Sequence, residues 1–297
     1  MLIAYTVIAG LLAAAGGLVV YMLWEARGFT ITEEEVVLKR LPSSFDGVRL
    51  FFISDFHRRR LTESHIAQIQ RHSQAAMVLV GGDITEFGAP LAYSVENMER
   101  LRRLGPVAAV HGNHDYKANV RELDDKLNQL GVKLLDNEAI RLEQHGHFIW
   151  LVGWDDYSSK RTNVKLAMNE PQQEPACTIV LTHDPLALRK AELQGIDLVL
   201  SGHTHGGQIY LPGYGPLRTS KFYRKYLTGW HTFTGLKGST ALFITKGFGT
   251  SHIPLRLFCK PEAHFITLRS GIDGRISCFF TAWFVTDGLT LQLILTN

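Results

Sequence analysis

The sequence predicts an α/β fold preceded by one transmembrane helix, and three observations lead to this prediction. Residues 2–24 contain no charged side chain and consist mainly of Leu, Ile, Val, Ala and Gly. Beyond them, short apolar runs alternate with segments of helical periodicity, which is typical of α/β domains. Five of the short runs end in a loop that contains Asp, His or Asn. A functional site built on strand ends is therefore expected after the helix.

Length and composition limit the possible classes of protein. The chain has 297 residues, a formal net charge of +3 and 45% apolar residues. This length is enough for one catalytic domain with a substantial core, which we place at residues 46–270. The small net charge gives no indication of a nucleic-acid partner, and none is expected. The three cysteines lie far apart, so they predict neither a disulfide framework nor a thiolate metal site.

The apolar segment at residues 1–24 is long enough to cross a bilayer, since a spanning helix needs about 20 residues. Tyr5, Tyr21 and Trp24 lie near its two ends, where aromatic rings favour the membrane interface. A cleaved signal peptide is the alternative interpretation. Against it, the segment has no basic start, exceeds the usual apolar run of about 7–15 residues and lacks an Ala-x-Ala site at its end. We therefore expect a single-pass membrane anchor, whose orientation the weak charge bias after it does not decide.

The elements of the domain follow in order after a connector at residues 25–45. Strands are predicted within residues 46–57, at 75–80 and at 106–110, each followed by a helix, at 62–73, 91–104 and 120–130. Later strands are predicted at 140–142, 148–152, 178–181, 198–200, 242–245 and 263–268, with a helix at 186–193. Residues 271–297 form a C-terminal extension, in which Asp287-Gly288 between two apolar runs favours a hairpin.

The loops after five of these strands carry side chains that bind metals. The candidate ligands are Asp55, His57, Asp83, Asn113, His183, His203 and His205. Imidazole and carboxylate groups without thiolate suit Zn, Mn, Fe or Co. The set exceeds what one ion uses, whereas two ions about 3.5–4 Å apart that share a carboxylate account for all of it. Five separate clusters, each after a strand, make a chance collection of loop residues the weaker alternative.

Five ordered blocks also resemble a known family. They are Asp55-Phe56-His57, Gly82-Asp83-Ile84-Thr85-Glu86, Gly112-Asn113-His114-Asp115, His183-Asp184-Pro185 and Gly202-His203-Thr204-His205-Gly206-Gly207-Gln208. As a set, they resemble the calcineurin-like metallophosphoesterase superfamily over residues 48–268. The Gly-Gly-Gln ending, Gly247-Phe248-Gly249-Thr250 and the stretch from Pro254 to Glu262 are similar to its membrane-anchored bacterial branch. The resemblance implies two packed mixed β-sheets flanked by helices, a four-layer α/β/β/α sandwich.

The resemblance also implies roles for individual residues. Asp55, His57 and His205 would hold a first divalent ion, Asn113, His183 and His203 a second, and Asp83 would bridge the two. His114 would stabilise or protonate the leaving oxygen, with Asp115 orienting it. Two departures from the pattern are mild: Glu86 stands where many members have Asp, and three arginines follow His57.

The expected activity is hydrolysis of a phosphodiester or pyrophosphate bond by a metal-bridged hydroxide, since metal binding lowers the pKa of water toward about 7. Some members of the similar branch act on a nucleotide-linked acylated sugar, so a lipid-linked or nucleotide-sugar-lipid substrate at a membrane is the leading hypothesis. A nuclease or nucleotide phosphodiesterase with the same centre is the alternative. A non-catalytic metal-binding scaffold is a further alternative, which the complete ligand set and His114 disfavour.

Two groups of basic residues are candidate contacts for an anionic substrate or lipid headgroup. Arg58, Arg59 and Arg60 directly follow a candidate ligand. Arg218, Lys221 and Arg224 lie in a basic aromatic loop after the last metal block. For both groups, solvated surface residues are the simpler interpretation.

Overall fold

The computed structural model describes residues 1–72, 74–217, 219–235 and 238–271. Within these residues the α-helices are α1 Leu2–Arg27, α2 Glu63–Gln70, α3 Leu91–Arg102, α4 Val120–Gln129, α5 Val164–Ala167, α6 Asn169–Gln173 and α7 Lys221–Lys225. The strands are β1 Thr30–Leu38, β2 Arg49–Ile53, β3 Met77–Val80, β4 Val107–Ala109, β5 Lys133–Leu134, β6 Glu138–Gln144, β7 His147–Trp154, β8 Thr178–Thr182, β9 Leu198–Ser201, β10 Tyr210–Leu211, β11 Gly215–Pro216, β12 Gly229–Gly235, β13 Gly238–Ile244 and β14 Glu262–Ser270.

Two six-stranded mixed sheets form the centre of the domain. The first has the order β1-β14-β2-β3-β4-β5, in which β2 to β5 run parallel to one another and β14 runs antiparallel to β2. The second has the order β12-β13-β9-β8-β7-β6, in which β7, β8, β9 and β13 are parallel. The parallel strands of each sheet therefore end at a common edge, where their following loops meet.

Three apolar cores separate four layers. The middle core lies between the sheets and includes Phe52 and Phe243, whose rings are 6.4 Å apart. Phe51 points the other way, into the core that the first sheet shares with α2, α3 and α4, because successive side chains of a strand alternate between faces. The third core packs α5, the 185–190 segment and α7 against the second sheet. The predicted α/β/β/α sandwich is confirmed.

Some elements differ from the sequence-based expectation. Within the expected connector at 25–45, Thr30–Leu38 forms the parallel edge strand β1 beside β14, so part of this segment belongs to the sheet. The helix expected at 186–193 is a 3₁₀ segment at Pro185–Lys190, which begins with Asp184 as its cap. Strand β12, which pairs with β13, was not anticipated. The C-terminal extension and its expected hairpin lie outside the described residues, apart from its first residue.

Helix α1 is the one helix of the described chain that is long and apolar enough to span a membrane. Only Met22, Glu25 and Ala26 in its last turns are buried against the domain. The Glu25 carboxylate accepts the backbone N–H groups of Phe258 and Cys259 at 3.0 and 2.6 Å. The end of α1 is thus a fixed part of the domain surface, and not a free tether.

Replacement of Glu25 by alanine is expected to destabilise the domain by about 1–3 kcal/mol, because two backbone donors at a buried position lose their acceptor. Urea unfolding of the full chain in detergent measures this change. Glu170→Ala, at an exposed position of α6, is the matched control and should be close to neutral. Equal stability of the two variants would contradict the docking of α1.

Candidate metal centre

The candidate ligands follow five strands, three parallel strands of the first sheet and two parallel strands of the second, whose carboxyl ends meet where the two sheets adjoin. Asp55 and His57 follow β2, Asp83 follows β3 and Asn113 follows β4, all in the first sheet. His183 follows β8, and His203 and His205 follow β9, both in the second sheet. Residues that are up to 150 positions apart in the chain are therefore neighbours in space, as the strand-end pattern predicts.

One group of side chains gathers around Asp55. The ligand atoms of Asp55, His57 and His205 lie within 4.8 Å of one another. The two imidazole Nε2 atoms are 3.0 Å apart, and His205 Nε2 is 3.3 Å from Asp55 Oδ1. Asp55 and His57 are fully buried and His205 is nearly so.

A second group gathers around His183. Its Nε2 atom is 3.2 Å from His203 Nδ1, which in turn is 3.1 Å from Asn113 Oδ1. Asp83 lies between the two groups, because its Oδ2 atom is 3.2 Å from His183 Nε2 and 3.5 Å from His57 Nε2. A single carboxylate oxygen thus faces an imidazole of each group.

The donor set fits divalent cations. Burial and the neighbouring His57 lower the pKa of His205, so its ring is neutral and offers a lone pair. Burial alone would lower the pKa of His183, but the Asp83 carboxylate outweighs it and raises that pKa well above its usual value. Facing ring nitrogens about 3 Å apart beside buried carboxylates need a shared proton or cation between them. Imidazole and carboxylate groups together are ligands that suit Zn, Mn or Fe.

The backbone of several candidate ligands adopts a strained conformation, as is common at functional sites. Asp55, His57, Asp83, His203 and His205 all have φ between 49° and 72°, in the left-handed region that such residues rarely adopt. Only glycine fits at the adjoining position 112, since a Cβ atom there would lie 2.2 Å from Asp83 Oδ1. The turns that bring five loops together therefore need both this strain and this glycine.

His114 lies at the mouth of the site beside His57, whose ring is 4.7 Å away, but the carboxylate that faces it is not the expected one. Burial lowers the pKa of His114 to about 4, so its imidazole is neutral at physiological pH. The expected orienting residue, Asp115, instead accepts the backbone N–H groups of Thr85 and Gly112, each at 2.8 Å. Each oxygen of Asp115 accepts one of these bonds, so the carboxylate links the two loops. Glu86, 3.9 Å from His114 Nδ1, is the carboxylate that faces the ring.

The three arginines after His57 point in different directions. Arg58 pairs with Glu86 and remains largely exposed at the mouth of the site. Arg60 pairs with Glu96 on α3. The Arg59 guanidinium donates to the carbonyls of Ala26, Arg27, Gly28 and Phe248, and burial lowers its pKa to about 9. Arg59 therefore caps the end of α1, and of the three only Arg58 reaches the site.

The basic aromatic loop places helix α7 over the site. The Tyr223 hydroxyl donates to Asp184, and its ring is 5.3 Å from that of His203. Lys221 and Arg224 lie on α7 and are exposed. Arg218 lies outside the described residues.

Two functional neighbours escaped the sequence-based reasoning. The ring of His252 is 5.9 Å from that of His114, although His252 lies far along the chain. Tyr223 contacts Asp184 next to a candidate ligand, a contact that spacing does not reveal. For His252, the signal available was the block at Gly247-Phe248-Gly249-Thr250, which ends two residues before it.

A four-layer sandwich that gathers carboxylate, amide and imidazole groups at its strand ends defines a metal-dependent hydrolase. The calcineurin-like phosphoesterase family model matches residues 48–207. The protein YpbG of Bacillus subtilis is 33% identical over 264 residues, which cover 88% of this chain and 96% of YpbG. The chain belongs to the calcineurin-like phosphoesterase family and is a metallophosphoesterase.

Two further relatives share most of this chain. The metallophosphoesterase YkuE of Bacillus subtilis is 27% identical over 281 residues, which cover 88% of this chain and 93% of YkuE. The transmembrane protein with metallophosphoesterase domain of Danio rerio is 31% identical over 263 residues, which cover 80% of this chain and 57% of that protein.

Proposed function

We propose that the protein is a membrane-anchored phosphodiesterase that uses two divalent ions to hydrolyse a phosphodiester or pyrophosphate bond in a lipid-linked or nucleotide-sugar-lipid substrate. Asp55, His57 and His205 would hold one ion and Asn113, His183 and His203 the other, with Asp83 between them. The observation that carries the proposal is the position of Asp83 Oδ2, within 3.5 Å of an imidazole of each group. This is the arrangement that a carboxylate shared by two ions requires.

The roles of the protein groups follow from their positions. When bound, the two ions act as Lewis acids toward the phosphoryl oxygens and activate water. His114, at the mouth and half-buried, donates a hydrogen bond to the oxygen of the leaving alcohol. Glu86 fixes the His57 ring through a contact of 3.2 Å to Nδ1. Arg58, Lys221 and Arg224 are exposed around the opening and attract an anionic substrate.

Anchoring by α1 supports a substrate that is itself in the membrane. The helix exposes nearly all of its 26 residues and binds the domain only through its last turns. A relative from Danio rerio carries the name of a transmembrane protein. Such a fixed anchor keeps the site near a bilayer surface, where a lipid-linked phosphoester is at high effective concentration.

Metal content and hydrolysis, measured together on the full chain in detergent, test this proposal. We expect about two equivalents of Mn or Zn, cleavage of bis-p-nitrophenyl phosphate in preference to p-nitrophenyl phosphate, and loss of both metal and activity with a chelator. His114→Ala should keep the metal and lose roughly 10²–10⁴-fold in turnover.

His147→Ala is the matched control, since His147 is an exposed histidine at the start of β7. Preference for the monoester would redirect the search to phosphomonoester substrates. Metal binding without turnover of either ester would favour the scaffold alternative, and absence of metal would refute the proposal.

A further inference from the structure

Exposed apolar side chains outside α1 are concentrated in one region. In the described part of the chain that follows α1, eight large apolar residues are exposed, and five of them fall within residues 208–260. These five, which we call the anchor-side patch, are Tyr210, Tyr214, Leu217, Ile253 and Phe258. Scattered single exposures need no explanation, but a concentration of this kind marks a binding surface.

The patch is a single surface because its two segments are bonded to each other. The Tyr210 N–H donates to the Leu257 carbonyl at 2.9 Å, and the Leu257 N–H donates to the Gln208 carbonyl at 3.0 Å. The Gln208 side chain accepts the Ser251 N–H and donates to the carbonyls of Ser251 and Ile253. The backbones of the two segments are therefore joined by hydrogen bonds, so their exposed side chains belong to one folded surface.

The patch is continuous with the end of the anchor helix. The ring of Phe258 lies 6.3 Å from that of Tyr21 on α1, and Glu25 binds the Phe258 backbone. Lys260, just after the patch, places its ammonium 5.5 Å from the ring of Trp24. Aromatic rings and lysines at the end of an apolar helix are typical of the membrane–water interface.

We propose that the anchor-side patch is a second membrane contact, which lies in the lipid headgroup region of the bilayer that α1 enters. This inference rests on the proposed function in one respect, the anchoring by α1. Because the patch begins where the apolar helix ends, it reaches the bilayer surface without any rearrangement of the domain. Apolar and aromatic side chains insert among the headgroups, and the Lys260 ammonium binds their phosphates.

The patch also lies close to the candidate site. Ile253 in the patch follows His252, whose ring is 5.9 Å from that of His114. One short loop, bound by Gln208, thus reaches both the bilayer and the candidate site. A site this close to the proposed contact favours, as substrate class, a phosphoester at the headgroup of a membrane lipid.

Fluorescence of labelled full-length protein in nanodiscs of phosphatidylcholine and phosphatidylglycerol tests the contact. A Cys278→Ser background leaves Cys177 and Cys259, which are buried. Into it, Phe258→Cys, Ile253→Cys and Leu12→Cys are introduced one at a time and labelled with an environment-sensitive dye. Leu166→Cys is the matched control, since Leu166 is also an exposed apolar residue, 60% accessible, on α5. Lipids with a nitroxide on the acyl chain or headgroup serve as quenchers.

We expect the labels at 258 and 253 to lose most of their emission to headgroup nitroxides, while the label at 166 responds only to aqueous iodide. Labels at 258 and 253 that behave like the label at 166 would overturn the inference. Labels at 258 and 253 that neither the nitroxide lipids nor aqueous iodide quench would also overturn it, because another part of the chain or a second copy would then cover the patch. The label at position 12 separates the two proposals. If nitroxide lipids do not quench it, the anchor itself is refuted. If they quench it but not the labels at 258 and 253, only the second contact is refuted.

Discussion

Replacement of Asp83 by asparagine is expected to remove metal binding and to lower diester hydrolysis by roughly 10³-fold or more. Asparagine keeps the shape of the side chain and can still accept the backbone N–H of His114, which donates to Asp83 Oδ1 at 2.8 Å. It lacks the negative charge that Oδ2 presents to His57 and His183. A neutral amide is a poor shared ligand for two divalent ions, so both are expected to bind weakly.

Metal stoichiometry after dialysis and turnover of bis-p-nitrophenyl phosphate are the two measurements. Asp125→Asn, at an exposed position of α4, is the control for the same chemical change and should retain both properties. A melting curve of the metal-free protein shows whether the fold survives the replacement. An Asp83→Asn protein that still holds two ions and turns over at the normal rate would remove Asp83 from the centre of the mechanism.

Replacement of Arg256 by methionine is expected to destabilise the domain by about 3–5 kcal/mol. The guanidinium is fully buried and donates to the carbonyls of His205, Lys246, Gly247, Gly249 and Cys259. Methionine fills a similar volume but removes the guanidinium donor from all five carbonyls. The carbonyls of His205 and Gly247 keep a backbone donor, from Gln208 and Glu262. One of them belongs to a candidate ligand, His205, so weaker metal binding is expected in the same variant.

Denaturant unfolding of the metal-free full chain measures the loss of stability, and metal titration measures the loss of affinity. Arg121→Met, on the exposed face of α4, is the control and should change neither. Arg256→Lys keeps the charge but not the planar fork, so it should recover only part of the stability. Full recovery by lysine would show that charge, and not the set of directed hydrogen bonds, is what this position needs.

The alternation of short apolar runs with helical segments was sufficient to predict most of the fold. Helix α3 begins at Leu91, as predicted, and strand β8 coincides with the predicted run to within one residue. Strand β1 was missed because Glu33, Glu34 and Glu35 interrupt its apolar pattern. These glutamates are compatible with a strand at the edge of a sheet, where charged side chains protect against further pairing.

The convergence of the candidate ligands was also predictable, whereas the contacts that position them were not. Asp55, Asp83 and His183 follow buried strands, and parallel strand ends meet at one edge whatever the intervening sequence. Arg58, Arg59 and Arg60 look alike in the sequence, yet Arg59 alone turns toward α1 because the last carbonyls of that helix lie there.

The sequence by itself determined the α/β class, the apolar helix and the candidate ligands, because local periodicity and side-chain chemistry depend on near neighbours along the chain. Tertiary structure alone decided that Asp115 ties loops together, that Glu86 faces His114 and that Phe258 lies beside Tyr21. Each of these contacts joins separate loops or elements, and their geometry depends on how strands pack and loops turn. Such long-range geometry has no signature in spacing or composition, so it enters only with the folded chain.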